Sequence, residues 1–232
     1  MLKQVLTASL CFWSCCAAAR ADATLTAREI RWLRAAGPVL AYSQRLQLPV
    51  DIIVQPNAGP GDVPMAMGFD GKRCKLVLSL RGNGEPDAIF HGPGEAERGL
   101  LVEAIGAHEI GHCWRYAHGA WHALPAGFVE TGAGKAAGAT ASARAAAMRD
   151  ARREEGYADL VALAWTAHRH PAHYAKVARW LQSVRAKQPV ARGAHDTRAW
   201  VGLAREPGAF DPGGTPFDAA AALWRKGLLM GE

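Results

Sequence analysis

The sequence predicts an α+β domain with a small, mainly antiparallel sheet in its first half and a mostly helical second half. Short apolar or alternating runs separated by Pro- and Gly-rich segments occupy residues 50–80, and this period is typical of strands. Apolar residues recur at helical spacing after residue 93. Because the chain has 232 residues, 50% hydrophobic and 21% charged, it can bury a sizeable core, and one globular domain is expected.

The charge balance does not indicate a nucleic-acid partner. The formal net charge is +6, but the basic residues are scattered among alanines and acidic residues. The sequence contains neither a Lys/Arg run nor a nucleic-acid recognition motif. We therefore expect no nucleic acid among its partners.

The first 21 residues have the three parts of a secretory signal peptide. Lys3 gives the positive start, residues 5–19 form a short apolar stretch, and Ala19-Arg20-Ala21 offers small residues for cleavage before Asp22. The apolar stretch is short for a membrane span, although an uncleaved anchor is the alternative. We expect removal of residues 1–21, a single domain over 22–232, a periplasmic or secreted location and no stable membrane insertion afterwards.

Two cysteines remain after removal of the signal. Cys11, Cys15 and Cys16 lie within it, which leaves Cys74 and Cys113. An even pair in an oxidising compartment favours a Cys74–Cys113 disulfide. Two separate buried thiols are the alternative, because sequence does not give their distance.

The helix and strands before residue 93 are predicted from a helix cap, helix-breaking residues and the spacing of apolar residues. Thr26 and Glu29 have capping-box spacing at the start of a helix, and Gly37-Pro38 is expected to break or bend that helix. Asp70-Gly71 favours a tight hairpin turn between two of three strands, which are predicted at Val50–Val54, Met65–Phe69 and Cys74–Leu80.

The spacing of apolar residues after residue 93 predicts a series of helices. The first runs from Pro93 to about Trp114, and residues 115–135 read as a loop. Further helices are predicted at about 139–152, 154–169, 171–187, 197–205 and 217–229.

The segment His108-Glu109-Ile110-Gly111-His112 lies near the end of the first of these helices. Histidines at positions i and i+4 project from one helix face and can bind a single ion. Glu109 can accept a proton from a metal-bound water as general base and return it to a leaving amine. This is the His-Glu-x-x-His signature of zinc metallopeptidases, and it predicts a Zn²⁺ cofactor.

A catalytic zinc site needs a third protein ligand, and Glu155 is the first candidate. Asp159 lies four residues later on the same helix face, where it can hydrogen-bond a ligating histidine and fix its tautomer. Glu154 would project about 100° away on that helix. Together these motifs resemble the gluzincin metallopeptidases over residues 108–159. The resemblance implies a zincin-like fold, with Glu155 as third ligand.

The second candidate is His118, whose spacing from the two histidines resembles that of metzincins. Their helix turns at a glycine three residues after the second ligand, whereas this chain has Arg115 there. Without that glycine the turn that returns a third histidine is harder to make. Met148 lies in an Ala/Arg-rich helical setting that does not favour the metzincin methionine turn.

A donor to the developing oxyanion would assist peptide hydrolysis. His195 is the candidate, because it lies in a loop before a helix and gluzincins often place a His, Tyr or Arg in this role. An ordinary surface histidine is the alternative, and Tyr157 and Arg115 are weaker candidates. The resemblance to zincins implies that the strand at residues 75–80 forms one wall of the cleft and that its free edge pairs with extended substrates. A buried strand is the alternative.

We therefore expect an exported zinc metallopeptidase that acts on a protein or peptide substrate. Two other classes stay open: a zinc hydrolase of a non-peptide amide or ester, and a non-catalytic zinc-stabilised binding protein. Glu109 argues against the last, because structural zinc sites have four protein ligands and need no base.

Overall fold

A computed structural model describes residues 24–59, 62–83, 94–128, 139–187 and 190–230. Within these ranges the chain has six α-helices, two short 3₁₀ helices and one three-stranded sheet, so the α+β prediction is confirmed. The expected signal at residues 1–21 lies outside them. Among the described helices, none is both long and apolar enough to span a membrane.

Helix α1 (Ala27–Arg45) begins at the predicted capping box. The Thr26 side chain accepts a hydrogen bond from the Glu29 backbone, and the Glu29 carboxylate accepts one from the Thr26 backbone. Gly37-Pro38 was predicted to break or bend this helix, and the break is wrong, because α1 continues through Pro38. Proline removes one backbone hydrogen bond, but the buried face of α1, which includes Trp32 and Val39, stabilises the helix on either side.

The sheet consists of β1 (Val50–Val54), β2 (Met65–Asp70) and β3 (Arg73–Leu78) in the order β1-β3-β2. β1 is parallel to β3 and β2 is antiparallel to it. The sheet is therefore mixed rather than mainly antiparallel. The prediction that the strand at 75–80 has a free edge is also wrong: β3 is central, because it pairs on both sides, and β1 and β2 form the edges.

The hairpin between β2 and β3 turns at the predicted Asp70-Gly71 pair. Gly71 has a φ of 60°, a left-handed conformation that glycine adopts without steric cost. On β3, Cys74 forms a disulfide with Cys113 of the next helix, and both residues are completely buried. The predicted pairing is confirmed, and it joins the central strand of the sheet to that helix.

Helix α2 (Glu95–Ala117) is the centre of the domain and contacts α1, the sheet and the helix that follows it in the chain. Two glycines permit this close packing. A Cβ at Gly106 would lie 3.2 Å from the Ala36 side chain of α1, and one at Gly111 would lie 3.1 Å from Val161 of the neighbouring helix. The helix ends at Ala117, three residues beyond the predicted end.

Helix α3 spans Ala139–Arg169 without interruption. The two helices predicted at 139–152 and 154–169 are therefore one, because the stretch between them contains no helix-breaking proline. A 3₁₀ turn at Pro171–His173 leads into α4 (Tyr174–Ala186), where one helix was predicted. Helices α5 (Arg198–Leu203) and α6 (Pro216–Leu229) follow, with a 3₁₀ turn at Pro207–Ala209 between them.

Candidate metal centre

Three side chains from two helices converge on one point. The Nε2 atoms of His108 and His112 on α2 are 3.1 Å apart. Glu155 on α3 places one carboxylate oxygen 3.5 Å from Nε2 of His108 and the other 3.4 Å from Nε2 of His112. Within the described residues, these three side chains form a group that could hold a metal ion.

The spacing of these atoms fits a small tetrahedral cation. Zinc bonds to His and carboxylate ligands at about 2.0–2.1 Å, so two ligand atoms on a tetrahedral zinc lie roughly 3.3 Å apart. The two imidazole nitrogens are 3.1 Å apart, and each lies 3.4–3.5 Å from a different oxygen of Glu155, so the separations are close to that value. The donor set, two imidazoles and one carboxylate, is also one that zinc accepts in catalytic sites.

Asp159 orients the first histidine from the opposite ring nitrogen. Its Oδ1 atom lies 2.9 Å from Nδ1 of His108, which leaves Nε2 of that ring directed at the cluster. Asp159 is fully buried. The Arg185 guanidinium of α4 balances its charge by donating two hydrogen bonds of 2.7 Å, and the Thr197 hydroxyl donates a third.

The two carboxylates also set the protonation of His108. Burial disfavours the charged imidazole, but hydrogen bonds to Asp159 and Glu155 outweigh burial and raise the pKa of His108 to about 10. Burial likewise opposes the Glu155 charge, but the two histidines hold the pKa of Glu155 well below its usual value. In the absence of metal, a proton therefore occupies His108 at neutral pH.

Glu109 lies beside the cluster and lines the same cleft. Only 8% of its surface is exposed. Burial raises the pKa of Glu109 above the ordinary value for a carboxyl group, although the neighbouring histidines oppose the shift. A carboxylate with a raised pKa next to three potential metal ligands has the properties expected of a general base.

The cleft around these residues has a volume of about 410 Å³. Its polar side chains belong almost entirely to the cluster and its neighbours, and the rest of its wall is apolar. Helices α1, α2 and α4 contribute Trp32, Ala104, Ile105, Trp180, Leu181 and Val184, whereas β2 and the residues before it contribute Val63, Pro64, Met65, Ala66, Met67 and Phe69. β2 is therefore the edge strand of the cleft, in the place predicted for β3.

His195 also lines the cleft. Its Nε2 atom lies 3.7 Å from Glu155, and about half of its side chain is exposed. The two weaker oxyanion candidates have other contacts. The buried Tyr157 hydroxyl donates to the backbone carbonyl of Phe217, and Arg115 forms a buried ion pair with Glu154.

His118 does not join the cluster. It is the C-cap of α2, is exposed, and lies against Trp114 one turn earlier. The chain turns at Gly119, whose φ is 66°. The backbone N–H groups of Gly119 and Ala120 donate to carbonyls of the last helical turn, an arrangement typical of a glycine that ends a helix. The turn thus follows His118 instead of preceding it.

Sequence reasoning missed Thr197, which donates to Asp159, and two further residues of the site. Arg185 neutralises Asp159 and also lies 3.3 Å from Glu155, and Trp121 packs against His112 with ring centroids 5.6 Å apart. A buried carboxylate needs a hydrogen-bonding or charged partner. The prediction that Asp159 supports a metal ligand therefore implied a nearby cation. Nothing in the sequence singles out Arg185 among the other basic residues.

Comparison with protein-family models, curated proteins and solved structures returned no match.

Proposed function

We propose that this protein is a zinc-dependent metallopeptidase. The observation that carries the proposal is the convergence of His108, His112 and Glu155 at tetrahedral ligand spacing, with the buried Glu109 in the same cleft. A structural zinc site normally has four protein ligands and no adjacent base. Three ligands, a base and an open cleft favour catalysis.

The residues divide the chemical work. When bound, a zinc ion would polarise the scissile carbonyl and lower the pKa of a water molecule. Glu109 would take the proton of the attacking water and return it to the leaving amine. Asp159 would keep His108 in the tautomer that ligates through Nε2, and Arg185 would stabilise the carboxylates of Glu155 and Asp159.

Two further elements would bind the substrate. β2 pairs with β3 along one edge, and its residues line the cleft. Its other edge pairs with no strand in the described part of the chain, so an extended peptide could add there by main-chain hydrogen bonds. His195 is on the Glu155 side of the cluster and is exposed enough to turn towards a bound peptide. We propose it as the donor to the developing oxyanion.

The arrangement supports the gluzincin interpretation over the metzincin one, because the third potential ligand comes from α3 and not from His118. Hydrolysis of a non-peptide amide or ester would use the same groups and stays the second candidate. The peptide assignment is favoured by the edge strand beside the cluster. We further propose export of the mature chain, on the basis of the signal-like residues 1–21.

The experiment uses purified residues 22–232 and an unstructured protein such as denatured casein. We expect one zinc per chain, hydrolysis that stops after treatment with a chelator, and recovery of hydrolysis when zinc is restored. Glu109→Gln should retain zinc and lose activity by about 10²–10⁴-fold. The matched control is Glu97→Gln on the same helix, whose side chain pairs with Lys176 outside the cleft.

Three outcomes separate the classes. Zinc that is bound without hydrolysis of any peptide, amide or ester would support a binding protein. Cleavage of esters or small amides alone would support the second candidate. Full activity of Glu109→Gln would exclude the proposed base.

A further inference from the structure

The loop after α2, residues His118–Phe128, carries Trp121 to one end of the cleft. The indole packs edge-on against the potential ligand His112, at 5.6 Å between ring centroids. It also packs against Phe69 of β2 at 4.7 Å. Trp121 is partly exposed, so part of its ring is available to a bound molecule beside His112.

A buried ion pair holds this loop. Arg115 and Glu154 are 7% and 2% exposed, and their closest atoms are 2.7 Å apart. The Arg115 guanidinium donates to the carbonyls of Ala120 and Ala123, at 2.6 and 2.8 Å. The Glu154 carboxylate accepts from the backbone N–H of His122 at 2.7 Å. Backbone groups on both sides of Trp121 are therefore fixed.

The same two helices carry the ion pair and the candidate ligands. Arg115 follows His112 by three residues on α2, and Glu154 precedes Glu155 on α3. Any arrangement of α2 and α3 that assembles the cluster thus also sets the position of the loop. Arg115 and Glu154, which have no part in the proposed metal chemistry, therefore position the loop.

The backbone beside Trp121 is strained. His122 has a φ of 59°, a left-handed conformation that costs a non-glycine residue energy. Its N–H is the group that Glu154 holds. Such strain persists only where surrounding contacts impose it and is concentrated at functional positions, which indicates that the placement of Trp121 is a built feature of the cleft.

We propose that Trp121 is a specificity-determining residue that selects an aromatic side chain of the substrate, on the residue that binds at the His112 end of the cleft. This inference rests on the proposed peptidase function and adds its substrate class. Phe69, Tyr116 and Trp121 already pack through their ring faces and edges, and an incoming ring extends this arrangement.

The chemistry at this end of the cleft favours a neutral ring over a charged group. Phe69 and Trp121 are its apolar walls. A cationic side chain could also lie over an indole, and the library test below distinguishes it from a neutral ring. An aliphatic side chain would bury surface without the preferred ring-to-ring geometry.

The first test is a peptide library digested by the wild-type protein, with the cleavage sites read by mass spectrometry. We expect Phe, Tyr and Trp to be enriched at one position next to the scissile bond. Trp121→Ala should abolish that enrichment, Trp121→Phe should retain most of it, and His118→Ala, an exposed ring outside the cleft, should leave it unchanged. Enrichment that persists in Trp121→Ala, or enrichment of Lys or Leu instead, would overturn the proposal.

The second test does not depend on turnover. Binding of a phenylalanine-containing hexapeptide and its alanine counterpart is measured on Glu109→Gln and on Glu109→Gln with Trp121→Ala, with and without zinc. We expect a roughly three- to tenfold preference for the phenylalanine peptide in the first protein, and equal binding in the second. If the wild type cleaves nothing yet this difference holds, the peptidase proposal fails while the role of Trp121 stands. Equal binding in both proteins removes that role, whatever the activity.

Discussion

The Nδ1 atom of His108 lies 2.9 Å from Oδ1 of Asp159, and this contact fixes which nitrogen of the imidazole faces Glu155. Asp159 has no exposed surface, so Arg185 and Thr197 complete its hydrogen bonds. A buried ionic network therefore lies behind the cluster. We expect changes to that network to affect metal affinity more than they affect the shape of the cleft.

Replacement of Asp159 by asparagine tests this network. Asn retains the size of the side chain but removes the negative charge that holds His108 and Arg185. We expect the zinc affinity, corrected for the proton displaced from His108, to fall by about 10–100-fold, as is typical for the loss of a hydrogen-bond partner of a metal ligand. Chelator competition measures the change, and Asp150→Asn on the same helix is the control. Unchanged affinity in Asp159→Asn would contradict the role of the network.

Metal binding should release a proton. The carboxylates around His108 raise its pKa to about 10, so the metal-free imidazole is protonated at pH 7, whereas a ligating imidazole must be neutral. Glu155 has a lowered pKa and is already ionised. Affinity should therefore rise with pH between 6 and 8, by about tenfold per unit for one proton.

Calorimetry in buffers of different ionisation enthalpy measures this release. Asp159→Asn serves as the comparison, because loss of the carboxylate lowers the His108 pKa and should reduce the number of protons released at pH 8. Heats that do not depend on the buffer would show that His108 is neutral before metal arrives.

Much of the site follows from local spacing. Histidines four apart on α2, and Glu155 four residues before Asp159 on α3, are relations within one helix, and the 3.6-residue period fixes which side chains share a face. The cap at Thr26 and the turn at Gly71 are equally local. These features were predictable because they depend on a few adjacent residues.

The errors concern relations between elements. The local sequence of residues 50–80 does not indicate which strands pair. The parallel pairing of β1 with β3, which places β3 in the centre of the sheet, was therefore not predicted. Gly37-Pro38 was expected to break or bend α1, but the helix continues through Pro38 because its buried face packs on both sides of that residue. Likewise, Trp121 and Arg185 reach the cleft only because the loop after α2 and helix α4 fold against the two helices that carry the candidate ligands.

The close packing of α2 and α3 gives a stability prediction. A Cβ at position 111 would approach Val161 to 3.1 Å and the Ala158 backbone to 3.3 Å, so in Gly111→Ala the facing residues of α3 must shift by a few tenths of an ångström. We expect a loss of about 1–3 kcal/mol in unfolding free energy together with weaker zinc binding, because His112 follows directly. Gly99→Ala, where a Cβ meets nothing within 4 Å, is the matched control in urea denaturation. Equal stability of both variants would contradict this packing argument.

The third ligand can be assigned by metal content. Glu155→Ala leaves two histidines where a catalytic site needs three protein ligands, so zinc should be lost or bound far more weakly. His118→Ala should retain zinc, because that ring lies against Trp114 and not in the cluster. Zinc per mole of folded protein gives the answer, and loss of metal only in His118→Ala would reverse the assignment.

The disulfide should support both the fold and the cluster. Cys113 directly follows His112, and its bridge to Cys74 ties that point of α2 to the central strand across a sequence separation of 39 residues. Replacing both cysteines with serine should therefore lower the unfolding free energy by about 2–4 kcal/mol, measured in urea with intact wild-type protein as reference. Because the helix is also held by α1 and α3, the folded variant should still bind zinc at one per chain, with an affinity reduced less than in Asp159→Asn.

Native protein that takes up two alkylating groups without reductant would show that the bridge is absent, and a variant as stable as wild type would show that it contributes nothing.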